Sequence, residues 1–166
     1  MSFKSGFVSI VGNPNVGKST LFNKLLNEDL SIVTNKPQTS RNKLLGIINH
    51  KNYQLILIDT PGYVNPSYKL HEYMNSKVFS SFEGSDLIIY VSDITEKKIN
   101  DKILSYVNKK NIPLYFIMNK SDLIKNNTSI NVKEFESYNY QIMNIISCKS
   151  EKDIGIVKKN IIEFLP

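Results

Sequence analysis

Apolar residues follow two alternating patterns along this chain. In Phe7 to Val11, Asp86 to Ser92, Leu114 to Met118 and Gln141 to Ile146 most positions are apolar, which predicts short strands, Asp86 to Ser92 a buried one, in a sheet covered on both faces. Between them the apolar positions recur every three or four residues. Leu21, Phe22, Leu25 and Leu26 predict a helix over Lys18 to Leu26, and Leu70, Met74, Val78 and Phe82 predict one over Leu70 to Phe82. Further helices are predicted over Ile99 to Lys109, stopped by Pro113, and over Glu151 to Phe164, with a weakly patterned one at Val132 to Ser137. Lys43 to His50 and Tyr53 to Ile58 flank Lys51-Asn52 as the arms of a hairpin. Ser31 to Asn42, with Pro37, and Thr60 to Pro66, with Pro61 and Gly62, are loops. Helices alternating with buried strands predict an α/β fold: a doubly wound, mostly parallel six-stranded sheet, one antiparallel strand from the hairpin, and helices on both faces. Ligands of such sheets bind beyond the carboxyl ends of the strands, and the polar motifs of this chain fall at those ends.

Composition narrows the class. A chain of 166 residues, 41% hydrophobic, suffices for one domain, a size that buries roughly 70% of the surface an unfolded chain exposes. No apolar run approaches a membrane span, and from the short apolar stretch after Met1 to Gly6 no signal peptide is expected. The single Cys148 cannot close an internal disulfide, and His50 and His71 stand too far apart in sequence to suggest a zinc cluster. A cytoplasmic protein is expected. The net charge of +6 comes from scattered lysines, with Arg41 the only arginine. Base readout and bidentate phosphate clamping favour arginine, so no DNA partner is expected.

Four segments carry chemistry. Gly12-Asn13-Pro14-Asn15-Val16-Gly17-Lys18-Ser19 fits G-x-x-x-x-G-K-[ST] between a strand and a helix. Gly12 and Gly17 let the loop curl so that its backbone N–H groups form an anion nest at a helix N-terminus, with Thr20 just inside it. Lys18 then reaches the β- and γ-phosphates of a nucleotide, and the Ser19 hydroxyl ligates Mg²⁺. Asp59-Thr60-Pro61-Gly62 follows a strand; its carboxylate suits a Mg²⁺-bound water, and Gly62 brings an unobstructed N–H toward the γ-phosphate. Asn119-Lys120-Ser121-Asp122 selects the base. A carboxylate at Asp122 accepts from guanine N1–H and the exocyclic amine, two donors that adenine does not present there. Asn119 can bond guanine N7 and tie this loop to the phosphate loop, and the stem of Lys120 can lie over the base. The competing reading is a helix N-cap at Ser121 or Asp122. Ser147-Cys148-Lys149 ends the last strand, where the N–H of Cys148 or Lys149 can meet guanine O6. As a side chain, Cys148 reads as a small buried hydrophobe.

In this order the segments resemble a translation-factor-class P-loop GTPase and, more closely, the GTPase domain of the Era family. Three stretches carry the closer likeness: Ser31-Ile32-Val33-Thr34-Asn35-Lys36-Pro37-Gln38-Thr39-Ser40-Arg41, Asp59 to Tyr63, and Lys69-Leu70-His71-Glu72-Tyr73-Met74-Asn75. The related Der family normally has Val-Thr-Arg-Asp in the first stretch, which does not fit, so a Der-like GTPase is the lesser reading. The resemblance implies a GTP/GDP-binding, Mg²⁺-dependent switch that hydrolyses GTP and serves assembly of the small ribosomal subunit. The implied catalytic groups are Lys18, Gly62 and one hydroxyl of Thr39 or Ser40. Ser19, Asp59 and that same hydroxyl are the implied metal ligands. Asn15 stands where potassium-activated relatives ligate a monovalent cation, so K⁺ is a candidate cofactor. Ras-like proteins carry a water-orienting glutamine where this chain has Tyr63, and slow intrinsic hydrolysis follows. The family's rRNA-binding KH domain would begin where the chain stops at Phe164-Leu165-Pro166, and the sequence has no KH-type Gly-x-x-Gly loop. Residues 1–166 are therefore expected to be the GTPase domain alone, with rRNA contacts mainly outside it. An adenosine-nucleotide enzyme and a nucleotide-regulated binding module with negligible turnover are the competing functions.

Overall fold

A computed structural model of the chain describes residues 3–27, 44–96, 99–125, 136 and 138–166. The elements run β1 (Lys4–Val11), α1 (Lys18–Asn27), β2 (Leu44–His50), β3 (Tyr53–Asp59), α2 (Lys69–Phe82), β4 (Leu87–Asp93), α3 (Asp101–Lys109), β5 (Leu114–Asn119), a 3-10 turn at Ser121–Leu123, β6 (Ile142–Ile145) and α4 (Glu151–Phe164). The strands form one six-stranded sheet in the order β2-β3-β1-β4-β5-β6. Only the β2–β3 hairpin pair is antiparallel, its register fixed by His50 opposite Tyr53 and Leu45 opposite Ile58. The sheet is the doubly wound, mostly parallel one that the sequence predicts.

Alternation along the strands divides the core into two layers. Val8 and Ile10 of β1 pack with Leu21 and Leu25 of α1 and with Ile154, Val157 and Ile161 of α4. Val11 turns to the other face with Ile88, Tyr90, Val78, Phe82 and Ile103, under α2 and α3. Every residue of β4 and of β5 is buried, so these central strands are fixed from both sides and hold the loops after them in place.

Several boundaries differ from the sequence reading for local reasons. β1 starts at Lys4 because Lys4 N–H donates to Asn52 O (3.1 Å), while its ammonium bonds the last-turn carbonyls of α4 at Ile162 (3.1 Å) and Glu163 (2.9 Å). α3 starts at Asp101, not Ile99, because the Asn100 side chain accepts from Ile103 N–H and caps the helix. The inner stripe expected on α2 is corrected at its first member: Leu70 is 40% exposed, whereas Val78 and Phe82 are buried. Asn75 is the buried residue of that first half, its side chain bonding both Val64 N–H (3.2 Å) and Val64 O (2.7 Å). The start of α2 is thus held to the preceding loop by an amide rather than by apolar packing. The predicted loop at residues 31–42, Thr39 and Ser40 within it, lies outside the described residues, as does the helix predicted at Val132 to Ser137 apart from Glu136.

Candidate functional site

The loops that follow β1, β3, β4, β5 and β6 converge at one end of the sheet. The β1–α1 loop closes on itself through three positive-φ residues, Gly12 (146°), Asn15 (64°) and Gly17 (103°). A Cβ on Gly12 would collide with the Val91 carbonyl, and one on Gly17 with the Asn119 side-chain amide, so both positions demand glycine twice over, for φ and for space. Val16 is buried and anchors the loop, and Leu21 N–H donates to Gly17 O (2.9 Å) as α1 begins. Pro14 sits against Gly62, where a Cβ would lie 2.8 Å from its backbone. The segment after β3 is tied down separately: Thr60 Oγ1–H donates to Ile10 O (2.8 Å) and Tyr63 N–H to Gly12 O (3.2 Å). The Tyr63 ring turns away from this end and packs edge-on against Phe79 in the α2–α3 layer.

Lys18, Ser19 and Asp59 meet at the base of the loop. Lys18 is buried and donates to Asn13 O (2.7 Å); the Ser19 hydroxyl donates to Asp59 Oδ2 (2.8 Å). Asp59 Oδ1 is buried with no hydrogen-bond partner. Burial pulls the Lys18 pKa down, with Asp59 and Glu96 opposing it. Burial likewise pushes Asp59 up, against the Ser19 hydrogen bond and the charge of Lys18. A hydroxyl and a buried carboxylate with an unsatisfied oxygen form a hard-oxygen donor pair, which fits Mg²⁺. The raised carboxyl costs stability: the loss sets in as pH rises above the ordinary carboxyl value and is complete above the raised one. Asp59→Asn should therefore raise the ligand-free melting temperature by roughly 2–4 °C for each kcal/mol relieved, and remove the Mg²⁺ dependence of nucleotide affinity. A lower melting temperature, or Mg²⁺ dependence left intact, would count against this account of Asp59.

The base-facing end is a cleft of about 280 Å³ lined by Asn15, Gly17, Thr20, Asn119, Lys120, Asp122, Ser147, Cys148 and Lys149 among others. Asn119 joins its loops: Nδ2 donates to Val16 O (2.9 Å) and Oδ1 accepts from Cys148 N–H (3.0 Å). The Cys148 N–H is thus engaged within the protein, while Lys149 N–H makes only a longer bond to Ser147 Oγ (3.3 Å). Asp122 accepts from the Lys149 ammonium and from Ser147 Oγ (2.7 Å), and these donors hold its carboxyl below the usual range. It caps no helix. The cap position of the 3-10 turn is Lys120, left-handed at φ 68°, and neither it nor the turn uses a side-chain cap. The Lys120 ammonium is paired with Asp93. Cys148 is buried, and burial lifts its thiol to about 11, so it is a neutral packing group. Sequence reading passed over Asp93, Glu96 and Asn100, which lie behind the phosphate loop; single polar residues after a strand carry no motif, and only the fold brings them there.

The pattern of the 50S ribosome-binding GTPase family matches residues 7–120. GTPase Era of Ruminiclostridium cellulolyticum is 38% identical across all of this chain, which spans 57% of that relative's length. A crystal structure of Era with MgGDPNP and nucleotides 1506–1542 of 16S ribosomal RNA superimposes with a TM-score of 0.79 at 34% identity, covering 99% of this chain and 58% of that one. A variant of Aquifex aeolicus Era bound to GDP–AlF4⁻ gives 0.78 at 31% identity, over the same shares of the two chains, 99% and 58%. The Era resemblance seen in the loop sequences thus extends to the whole described fold. Since the family pattern begins inside β1 and runs on to Lys120 in the loop after β5, this chain belongs to the 50S ribosome-binding GTPase family.

Proposed function

We propose that the chain is a Mg²⁺-dependent switch that binds GTP, hydrolyses it to GDP and phosphate, and takes part in small-ribosomal-subunit assembly. The observation that carries the guanine assignment is Asp122, held ionised at the cleft by Ser147 and Lys149 and rigidly linked to the phosphate loop through Asn119. Its carboxylate pairs with the two donors of guanine; Asn119 keeps its second amide hydrogen for N7, and Lys149 N–H is the candidate donor to O6. Gly12 to Thr20, apart from Pro14, which has no N–H, cradle the phosphates with backbone N–H groups, and Gly62 approaches the γ-phosphate. Ser19 and Asp59, with Thr39 or Ser40, would hold Mg²⁺, which supplies positive charge to the β- and γ-phosphate oxygens when bound. Lys18 stabilises the charge that builds up on the transferring phosphoryl group, in a pocket dry enough to strengthen that interaction.

Tyr63 orients no water, since its ring lies in the core. Slow turnover follows, with Asn15 offering its amide to a potassium ion beside the phosphates. The test is phosphate release from GTP and from ATP, in NaCl and in KCl at matched ionic strength. GTP alone should be hydrolysed, faster in KCl. Comparable ATP turnover would sink the guanine assignment, and equal rates in the two salts would sink the potassium site. The part in ribosome assembly rests on the likeness to Era. Within residues 1–166, read as the GTPase domain alone, scattered lysines and a single arginine give rRNA contacts that are electrostatic and sequence-indifferent.

A further inference from the structure

The loop between β4 and α3 touches both ends of the nucleotide site. Asp93, the last residue of β4, pairs with the Lys120 ammonium of the base loop. Its other carboxylate oxygen accepts from Thr95 N–H (2.9 Å) and Thr95 Oγ1–H (2.8 Å), and its carbonyl accepts from Glu96 N–H (2.8 Å). These bonds fix a tight turn that sends Glu96 back over the phosphate loop. There Glu96 Oε1 accepts from Asn13 Nδ2 (3.0 Å), while Oε2 accepts from Asp93 N–H (3.2 Å). Asn100, already capping α3, reaches the opposite end of the same Asn13 amide, its Nδ2 lying 3.5 Å from Asn13 Oδ1. Asn13 is thereby held at its amine and at its carbonyl by two residues more than 80 positions away (83 and 87). Its backbone oxygen is the acceptor for Lys18.

We propose that Glu96 is a positioning residue for phosphate binding: by gripping Asn13 it sets the curvature of the loop and the place of Lys18, without touching nucleotide itself. One geometric point supports a role beyond fold stability. One carboxylate oxygen of Glu96 grips a loop that α1 and Val16 already anchor at its far end, while the other oxygen fixes Glu96 on Asp93 N–H, so the contact adds definition where the phosphates sit. The Asp93–Lys120 pair makes the same turn a brace between the phosphate and base loops, yet Glu96 itself reaches only the phosphate side.

This inference rests on the GTP reading, and the test separates the two. Binding of guanosine and of Mg²⁺–GDP is titrated against the wild-type chain, Glu96→Ala, Asn13→Asp, and Glu96→Gln combined with Asn13→Asp. Losing a hydrogen bond to a charged group is worth about tenfold. Glu96→Ala should therefore weaken GDP about tenfold while leaving guanosine, which has no phosphate, within about twofold. Asn13→Asp alone sets two carboxylates face to face and should weaken GDP further. The double variant exchanges donor and acceptor across the same contact and keeps the net charge, so it should recover most of that loss. GDP affinity unchanged in Glu96→Ala, equal losses for guanosine and GDP, or no recovery in the double variant would overturn the positioning role. A wild-type chain that binds neither probe would overturn the GTP reading and this proposal together.

Discussion

Asp122→Asn should lower GTP affinity by about a hundredfold or more and raise affinity for xanthosine triphosphate. Guanine offers two donors, N1–H and the exocyclic amine, to one carboxylate. An asparagine in that place can accept from N1–H but must point its own amine at the guanine amine, leaving two donors opposed and both desolvated. Xanthine has a carbonyl where guanine has the amine, so the same asparagine then finds a complementary partner. Nothing else in the cleft need change. Ser147 Oγ–H can still donate to the amide oxygen, and Asn119 still ties the loop to Val16 and Cys148. The Lys149 ammonium loses its partner but is exposed to water, which compensates it. Competition titration with GDP and XDP measures the exchange of preference. Unchanged GTP binding would mean that Asp122 serves only its contacts with Ser147 and Lys149 and that the base is read elsewhere.

What was legible in the sequence was what depends on neighbours along the chain. Gly12, Gly17, Lys18 and Ser19 are one loop and one helix turn, so their spacing alone implies an anion nest. β4 and β5 were legible because central parallel strands need continuous apolar runs, here Leu87 to Val91 and Leu114 to Met118. The hairpin was legible because the polar Lys51-Asn52 interrupts two apolar runs. The illegible features depend on tertiary closeness. Asn75 is buried in α2 because the loop at Val64 comes back to meet it, whereas Leu70 is 40% exposed and joins neither apolar layer. Tyr63 follows a glycine at a loop where an aromatic ring could shield the phosphates; that it packs inward against Phe79 depends on where α2 lies. The brace of Asp93, Glu96 and Asn100 joins segments far apart in sequence, and no local pattern separates those residues from ordinary loop polarity.

Lys18→Met should reduce GTP turnover by about a hundredfold or more, while the melting temperature without nucleotide holds or rises. The two halves of that expectation have one cause. In the folded chain Lys18 is buried, and its ammonium has a lowered pKa because desolvation outweighs the attraction of Asp59 and Glu96. A lysine whose folded pKa lies below its unfolded value makes folding less favourable at every pH below the folded value, and stability recovers only as pH rises from there toward 10.5. Wherever the pH lies below that folded value, the cost is fully present. A protein does not bury an ammonium against such a gradient for the sake of its fold. The arrangement makes sense if the charge is offset by an anion, and a triphosphate cradled by the same loop is that anion. Methionine fills much of the volume without the charge, so the fold is spared and the phosphate partner is lost. Calorimetry without nucleotide and phosphate release with it separate the possibilities. Should the variant melt many degrees lower, Lys18 would be a structural cation holding Asn13 and Asp59 in place. Should it hydrolyse GTP at the wild-type rate, the phosphate assignment would be lost.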